Sequence, residues 1–175
     1  MRSLLLLRHA KSSWDREDLD DRARPLAPRG RRAAPLIGRH IRSQKVVPDL
    51  VLCSTAERAR QTLELVSAEW ERMADPGPRV EFRASLYLAS AGDMLAAIKR
   101  LDDDVERAMI IGHNPGMASF ADLLVAGGDP EGMRAMAAKY PTAALAVIAL
   151  DVAAWKAVSA GAGHLTSFTR PRDLA

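Results

Sequence analysis

One cysteine, Cys53, is all the chain contains, so no disulfide framework can hold it and a hydrophobic core must. Long apolar runs are missing too. Leu4–Leu7 is closed at once by Arg8, which makes the run far too short for a signal-peptide core or a membrane span. Both absences lead to the expectation of a cytoplasmic protein that does not engage the membrane. Aromatic residues are scarce at 5%, and the charge is nearly balanced, with 25 Lys+Arg against 22 Asp+Glu. A nucleic-acid-binding chain usually shows a strong basic surplus with aromatics to stack on, so that class is set aside. The net charge of +3 still leaves room for a small anionic ligand. His and Cys nowhere fall at metal-ligand spacing, so no metal and no cofactor is expected. No repeat, heptad run, low-complexity segment or linker divides the sequence.

What is present suits one domain over residues 1–175. Hydrophobic residues make up 48% and charged residues 27%, and a chain of this length can bury roughly 70% of its unfolded surface. Continuous apolar runs predict strands over 3–8, 48–54 and 107–113, and further strands are expected over 79–87, 143–151 and 164–170. Helical spacing marks 27–44 through Ala34, Ile37 and Ile41, and 55–73 through Ala59, Leu63, Val66 and Trp70. Helices are also expected over 91–101, with Asp93 in the first turn, and over 115–127, with Pro at the start and Gly at the end. Residues 9–27 read as loop and 75–78 as a turn. Strands alternating with helices predict an α/β fold: a three-layer sandwich with a mostly parallel central sheet and helices on both faces. Burial on both faces explains why the inner strands are apolar throughout.

In such sheets ligands bind beyond the carboxyl ends of the strands. There the first strand ends in Arg8-His9, the second in Ser54 with Arg58 in the following helix, and the third in Gly112-His113-Asn114-Pro115. Two imidazoles and two guanidiniums would converge beside helix starts, which suits a phosphate. The matching chemistry is phosphoryl transfer: a neutral imidazole attacks phosphorus, the arginines hold the equatorial oxygens, a protonated second imidazole adds a donor, and water hydrolyses the phosphohistidine.

The segments LLLLRHA, CSTAERARQT and IIGHNPG resemble the signatures of the histidine phosphatase superfamily, with its phosphoglycerate-mutase-like fold. RHAKSSW, RPLAPRGRRAA, YPTAALAVIALD and the terminal TRPRDL resemble the SixA-type phosphohistidine phosphatases in particular. The resemblance runs over nearly the whole chain. It implies His9 as nucleophile, Arg8 and Arg58 as phosphate clamps and His113 as the charge-stabilising second histidine. Ser12 and Asn114 are further candidates for substrate contact. Ala10 departs mildly, since the superfamily more often has Gly there.

Members that cleave alcohol phosphates carry an acid after the third strand to protonate the departing oxygen. Here Leu86-Tyr87-Leu88 offers no carboxylate; Glu81 reads as structural and Asp93 as a helix-start residue. An alkoxide leaves poorly without that donor, whereas an imidazole, with a pKa near ~6.5, leaves more readily. The expected substrate is therefore protein phosphohistidine, with small phosphorylated metabolites or nucleotides as the alternative and a non-catalytic phosphate-binding module as the second. A mutase is disfavoured by length and the missing acid. The loop acids Asp15, Glu17, Asp18, Asp20 and Asp21 are the remaining source of a proton donor. Cys53 is not followed by Arg at the spacing of a cysteine-dependent phosphatase loop and reads as a buried strand residue. His40 and the run Arg24, Arg29, Arg31, Arg32 read as surface, His164 as structural, and Trp70 and Trp155 as core or cap. Trp14 is a candidate for the substrate entrance. A monomer acting on a phosphorylated protein or small molecule is expected.

Overall fold

The computed structural model describes residues 1–70 and 76–175. Its centre is a seven-stranded sheet in the order β3-β2-β4-β1-β6-β7-β5. The strands are β1 (Arg2–Arg8), β2 (Leu50–Ser54), β3 (Arg79–Arg83), β4 (Arg107–Gly112), β5 (Val125–Gly128), β6 (Leu145–Leu150) and β7 (Gly163–Thr169). Neighbours run parallel except where β6 meets β1 and β7. The helices are α1 (Pro28–Ser43), α2 (Glu57–Ser67), α3 (Ala91–Ile98), α4 (Gly116–Leu124) and α5 (Pro130–Ala138).

The leucine run is explained by its two faces. Leu4 and Leu6 pack with Leu52, Ile110, Met117 and Phe120, while Leu5 and Leu7 pack with Val51, Ile111, Ile37, Ile41 and Val66. All four leucines are fully buried, so strand alternation places every one of them in a core and no polar position is tolerated. The indole N–H of Trp70 donates to the carbonyl of Gly38 at 3.1 Å, and that of Trp155 to Val105 at 2.7 Å. Both tryptophans are thus core residues with their polar atom satisfied.

Several boundaries differ from the sequence expectation, each for a physical reason. β3 stops at Arg83 because its partner β2 ends at the paired Ser54; the rest of the expected strand turns through Ala84–Leu86 and carries Tyr87 over the sheet edge. The second helix ends at Ser67, and Glu71–Met73 and Asp75 of the expected helix and turn lie outside the described residues. The fourth helix ends at Leu124, where the chain becomes β5 and pairs with β7. Gly128 there has φ +140°, and a Cβ would overlap the backbone of Leu165, so only glycine permits the pairing. Helix α5, which the sequence reading does not anticipate, carries ordinary start signals: Asp129 accepts from the N–H of Gly132, and Pro130 opens the first turn. No helix among the described residues is long and apolar enough to cross a membrane.

Candidate active site

Register brings the predicted site together. Arg8 pairs with Gly112, and Cys53 with Ile111, so Arg8-His9, Ser54 and His113 leave the sheet at one edge. His9, His113, Arg8, Arg58, Ser12 and Asn114 all line one open pocket of about 290 Å³.

His9 is buried, and its N–H donates to the Gly112 carbonyl at 3.1 Å. Its ring Nδ1 lies 2.7 Å from the Ala10 carbonyl oxygen. A carbonyl only accepts, so Nδ1 must carry the hydrogen and Nε2 keeps a bare lone pair in the neutral ring. Burial pushes the His9 pKa down to about 3; His113, Arg58 and Arg8 push the same way, and the bond to Ala10 opposes them. The ring is therefore neutral at pH 7, with the lone pair that attack on phosphorus requires. Thr62 anchors Ala10, the residue whose carbonyl holds the ring. Its hydroxyl accepts from the Ala10 N–H at 2.9 Å and donates to the Arg58 carbonyl at 2.6 Å.

The rings of His113 and His9 are 5.1 Å apart, centroid to centroid. Nε2 of His113 lies 2.7 Å from the Ser54 hydroxyl, which also accepts from the N–H of Ala56. Burial, then Arg58, lowers the His113 pKa to about 4, with Asp21 opposing. In the free site His113 is neutral too, and an incoming phosphate dianion is the charge that would raise it.

The two arginines are held differently. Nη1 of Arg8 donates to the Tyr140 carbonyl at 2.9 Å. Arg58, from the first turn of α2, donates through Nη1 to the Asp21 carbonyl at 2.6 Å and through Nη2 to the Asp21 carboxylate at 3.0 Å. Tyr87 donates its hydroxyl proton to the same carboxylate oxygen, Oδ2. Tyr87, then Arg58 and Arg24, lower the Asp21 pKa, against some desolvation. Of the loop acids considered, Asp21 alone lines the pocket. It is ionised and bonded on both sides, so in this arrangement it is an anchor for Arg58 and holds no proton to give.

Ser12 is buried and lines the floor beside Lys11. Asn114 donates from Nδ2 to the Tyr140 carbonyl at 2.9 Å, which leaves its Oδ1 as a free acceptor. Nε of Arg8 and Nδ1 of His113 are likewise buried with no partner within the protein. Trp14 is 61% exposed and Leu88 54% exposed, and both stand on the pocket rim. Arg24 stacks over Trp14 at 4.1 Å. No cluster of His, Cys, Asp and Glu fit to hold a metal occurs among the described residues.

Elsewhere, Cys53 is fully buried and its thiol is pushed up to about 12 by burial, which suits a strand residue and no nucleophile. His40 is half-buried against Thr169, with ring nitrogen and hydroxyl 3.2 Å apart, rather than on the open surface. His164 is exposed on β7. Sequence reasoning missed the supporting roles of Thr62, Tyr87 and Tyr140. Tyr87 had a signal in its position just after the third strand.

Known proteins resemble this chain in sequence and in fold. The profile of the histidine phosphatase superfamily (branch 1) matches residues 4–83. An uncharacterised protein of Mycobacterium tuberculosis is 34% identical over 168 residues, which covers 95% of this chain and 100% of that one. The structure of the candidate phosphohistidine phosphatase SixA from Nakamurella multipartitia superposes with TM-score 0.81 at 27% identity, covering 97% of this chain and 96% of that one. Its counterpart from Agrobacterium tumefaciens gives TM-score 0.81 at 26% identity, with 97% and 98% covered.

Proposed function

This chain belongs to the histidine phosphatase superfamily and is a phosphatase, and on that premise we propose that it hydrolyses protein phosphohistidine through a phosphohistidine formed on His9. The observation that carries the reading is the locked, neutral His9 ring between two guanidiniums and a second imidazole. Nε2 of His9 attacks phosphorus, forming one P–N bond as the bond to the substrate imidazole breaks. The departing ring takes its proton from solvent. Arg8 and Arg58 hold the phosphoryl oxygens as charge shifts, with Asp21 still anchoring Arg58. His113, protonated once the dianion is present, donates to the same oxygens. Water then attacks the phosphoryl group on His9 and releases inorganic phosphate. Ser12 lies on the floor of the phosphate pocket, and Asn114 Oδ1 offers an acceptor to an N–H of the leaving group.

Substrate choice follows from the proton inventory. The pocket's one lining carboxylate, Asp21, is ionised and engaged. A leaving alkoxide therefore lacks help worth about 10²–10⁴-fold, which an imidazole scarcely needs. The exposed Trp14 and Leu88 leave the rim open to a protein surface.

The test compares kcat/KM for a phosphohistidine peptide and a phosphoserine peptide, in chelator, with wild type and His9→Ala. We expect a preference of at least ~100-fold for phosphohistidine, lost in the variant and untouched by the chelator. Equal turnover of the serine ester would overturn the assignment. Turnover confined to a small aryl phosphate would transfer the enzyme to metabolites with good leaving groups. Phosphate affinity without turnover would make it a binding module.

A further inference from the structure

Beside the active pocket lies a second cavity of about 240 Å³ that the chemistry above does not use. It is bounded by the first turns of α1, the end of α5 and the turn after β7, and it shares Lys11 and Thr142 with the active pocket. Its walls carry Lys11, Arg29, Lys139, Arg170 and Arg172. Arg170 is neutralised by Asp173 at 2.9 Å, and Glu131 also bears on it. Lys11, Arg29, Lys139 and Arg172 have no ion-pair partner among the described residues.

Unneutralised cations converging on a concavity repel one another, and the field they make attracts an anion. The cavity is smaller than the ~300–1,000 Å³ that encloses a whole drug-sized ligand, so a compact group suits it. Lys11 links it to the chemistry. The Lys11 carbonyl accepts from the N–H of Ala27 at 2.8 Å, and Gly30 packs flush against it. The side chain thus starts from a fixed point two residues after His9, on the wall common to both pockets.

We propose that this cavity is a second anion subsite, which binds a carboxylate or phosphate carried by the same substrate molecule whose phosphoryl group sits on His9. The proposal rests on the phosphatase reading above and adds to it a requirement on the substrate: a second negative charge next to the scissile bond. That charge comes either from an acidic side chain of a phosphoprotein or from a second anionic group of a small phosphoramidate.

The experiment uses Arg29→Ser/Lys139→Ser, two exposed positions outside the phosphate pocket. Two substrate series are compared: phosphohistidine peptides with acidic or neutral flanks, and small phosphoramidates with or without a carboxylate arm. Phosphoramidate itself, which has no second anion, is the control. Wild type is expected to favour the acidic member by about ten-fold at low salt, mainly in KM. That preference should vanish in the variant and at high salt, while phosphoramidate turnover stays unchanged. Preference in the peptide series assigns the charge to a protein; preference in the small-molecule series alone assigns it to a metabolite. Turnover of phosphoramidate with no preference in either series overturns the subsite and leaves the phosphatase intact. Absence of turnover of every phosphohistidine peptide and phosphoramidate in wild type is the separate failure of the phosphohistidine reading.

Discussion

Acidification is expected to destabilise this protein through its two active-site histidines before most other groups titrate. In the unfolded chain an imidazole takes up its proton near pH ~6.5. In the native protein His9 is held down to about 3 and His113 to about 4, chiefly by burial. Between those limits the unfolded state binds more protons, so stability rises with pH. The contribution is complete above pH ~6.5 and is lost progressively as the pH falls toward the native values. At about pH 5 each histidine costs about 2 kcal/mol, and the pair about 4 kcal/mol. The native values hardly matter to that figure, because any pKa of about 4 or lower gives nearly the same loss at this pH. Against a total stability of about 5–15 kcal/mol the effect is large. Urea unfolding at about pH 7.5 and about pH 5 measures it for wild type, His9→Gln and His9→Gln/His113→Gln. Carboxylates contribute to all of these proteins, so the differences isolate the imidazoles. His9→Gln should lose about 2 kcal/mol less than wild type on acidification, and the double variant about 4 kcal/mol less. Superimposable pH dependences for wild type and His9→Gln would refute the buried, neutral ring on which the proposed attack depends.

Two substitutions test how His9 is positioned. Thr62→Val keeps the shape but leaves the buried N–H of Ala10 without an acceptor. That costs about 1–3 kcal/mol, so Tm should fall by roughly 4–8 °C for a ~2 kcal/mol loss, and kcat should drop several-fold; an unchanged Tm would sink the anchoring role. Gly30→Ala should raise helix propensity by about 1 kcal/mol in isolation. Here the added methyl overlaps the Lys11 carbonyl oxygen, so net destabilisation of about 1–3 kcal/mol and reduced kcat/KM are expected in thermal melts and assays. A stabilised, fully active Gly30→Ala would show that the contact is slack.

Much of the site was legible because its residues are adjacent in the chain to the elements that place them. Leu4–Leu7 reads as a strand buried on both faces, which puts Arg8-His9 at its carboxyl end, and the structure has that strand there. The runs before Ser54 and before His113 follow the same logic. Such continuous apolar runs are local features of the chain, readable from neighbouring residues alone. β5 and α5 were harder: the glycines of Val125–Gly128 look like a helix terminator until β7 supplies the strand they pair with.

By itself the sequence determined which chemical groups stand at the sheet edge and that Leu86-Tyr87-Leu88, just after the third strand, holds no carboxylate. The tertiary structure alone decided how those groups are held. Tyr140, 132 residues from Arg8, lends the carbonyl that aims its guanidinium. Tyr87, 66 residues from Asp21, turns a loop acid into an anchor for Arg58 and not a proton donor. The state of His9 depends on the Ala10 carbonyl turning inward and on the burial around it. These contacts are made between distant segments by hydrogen bonds and desolvation, neither of which leaves a period in the sequence, because only the packed chain excludes the water that would otherwise satisfy the same groups.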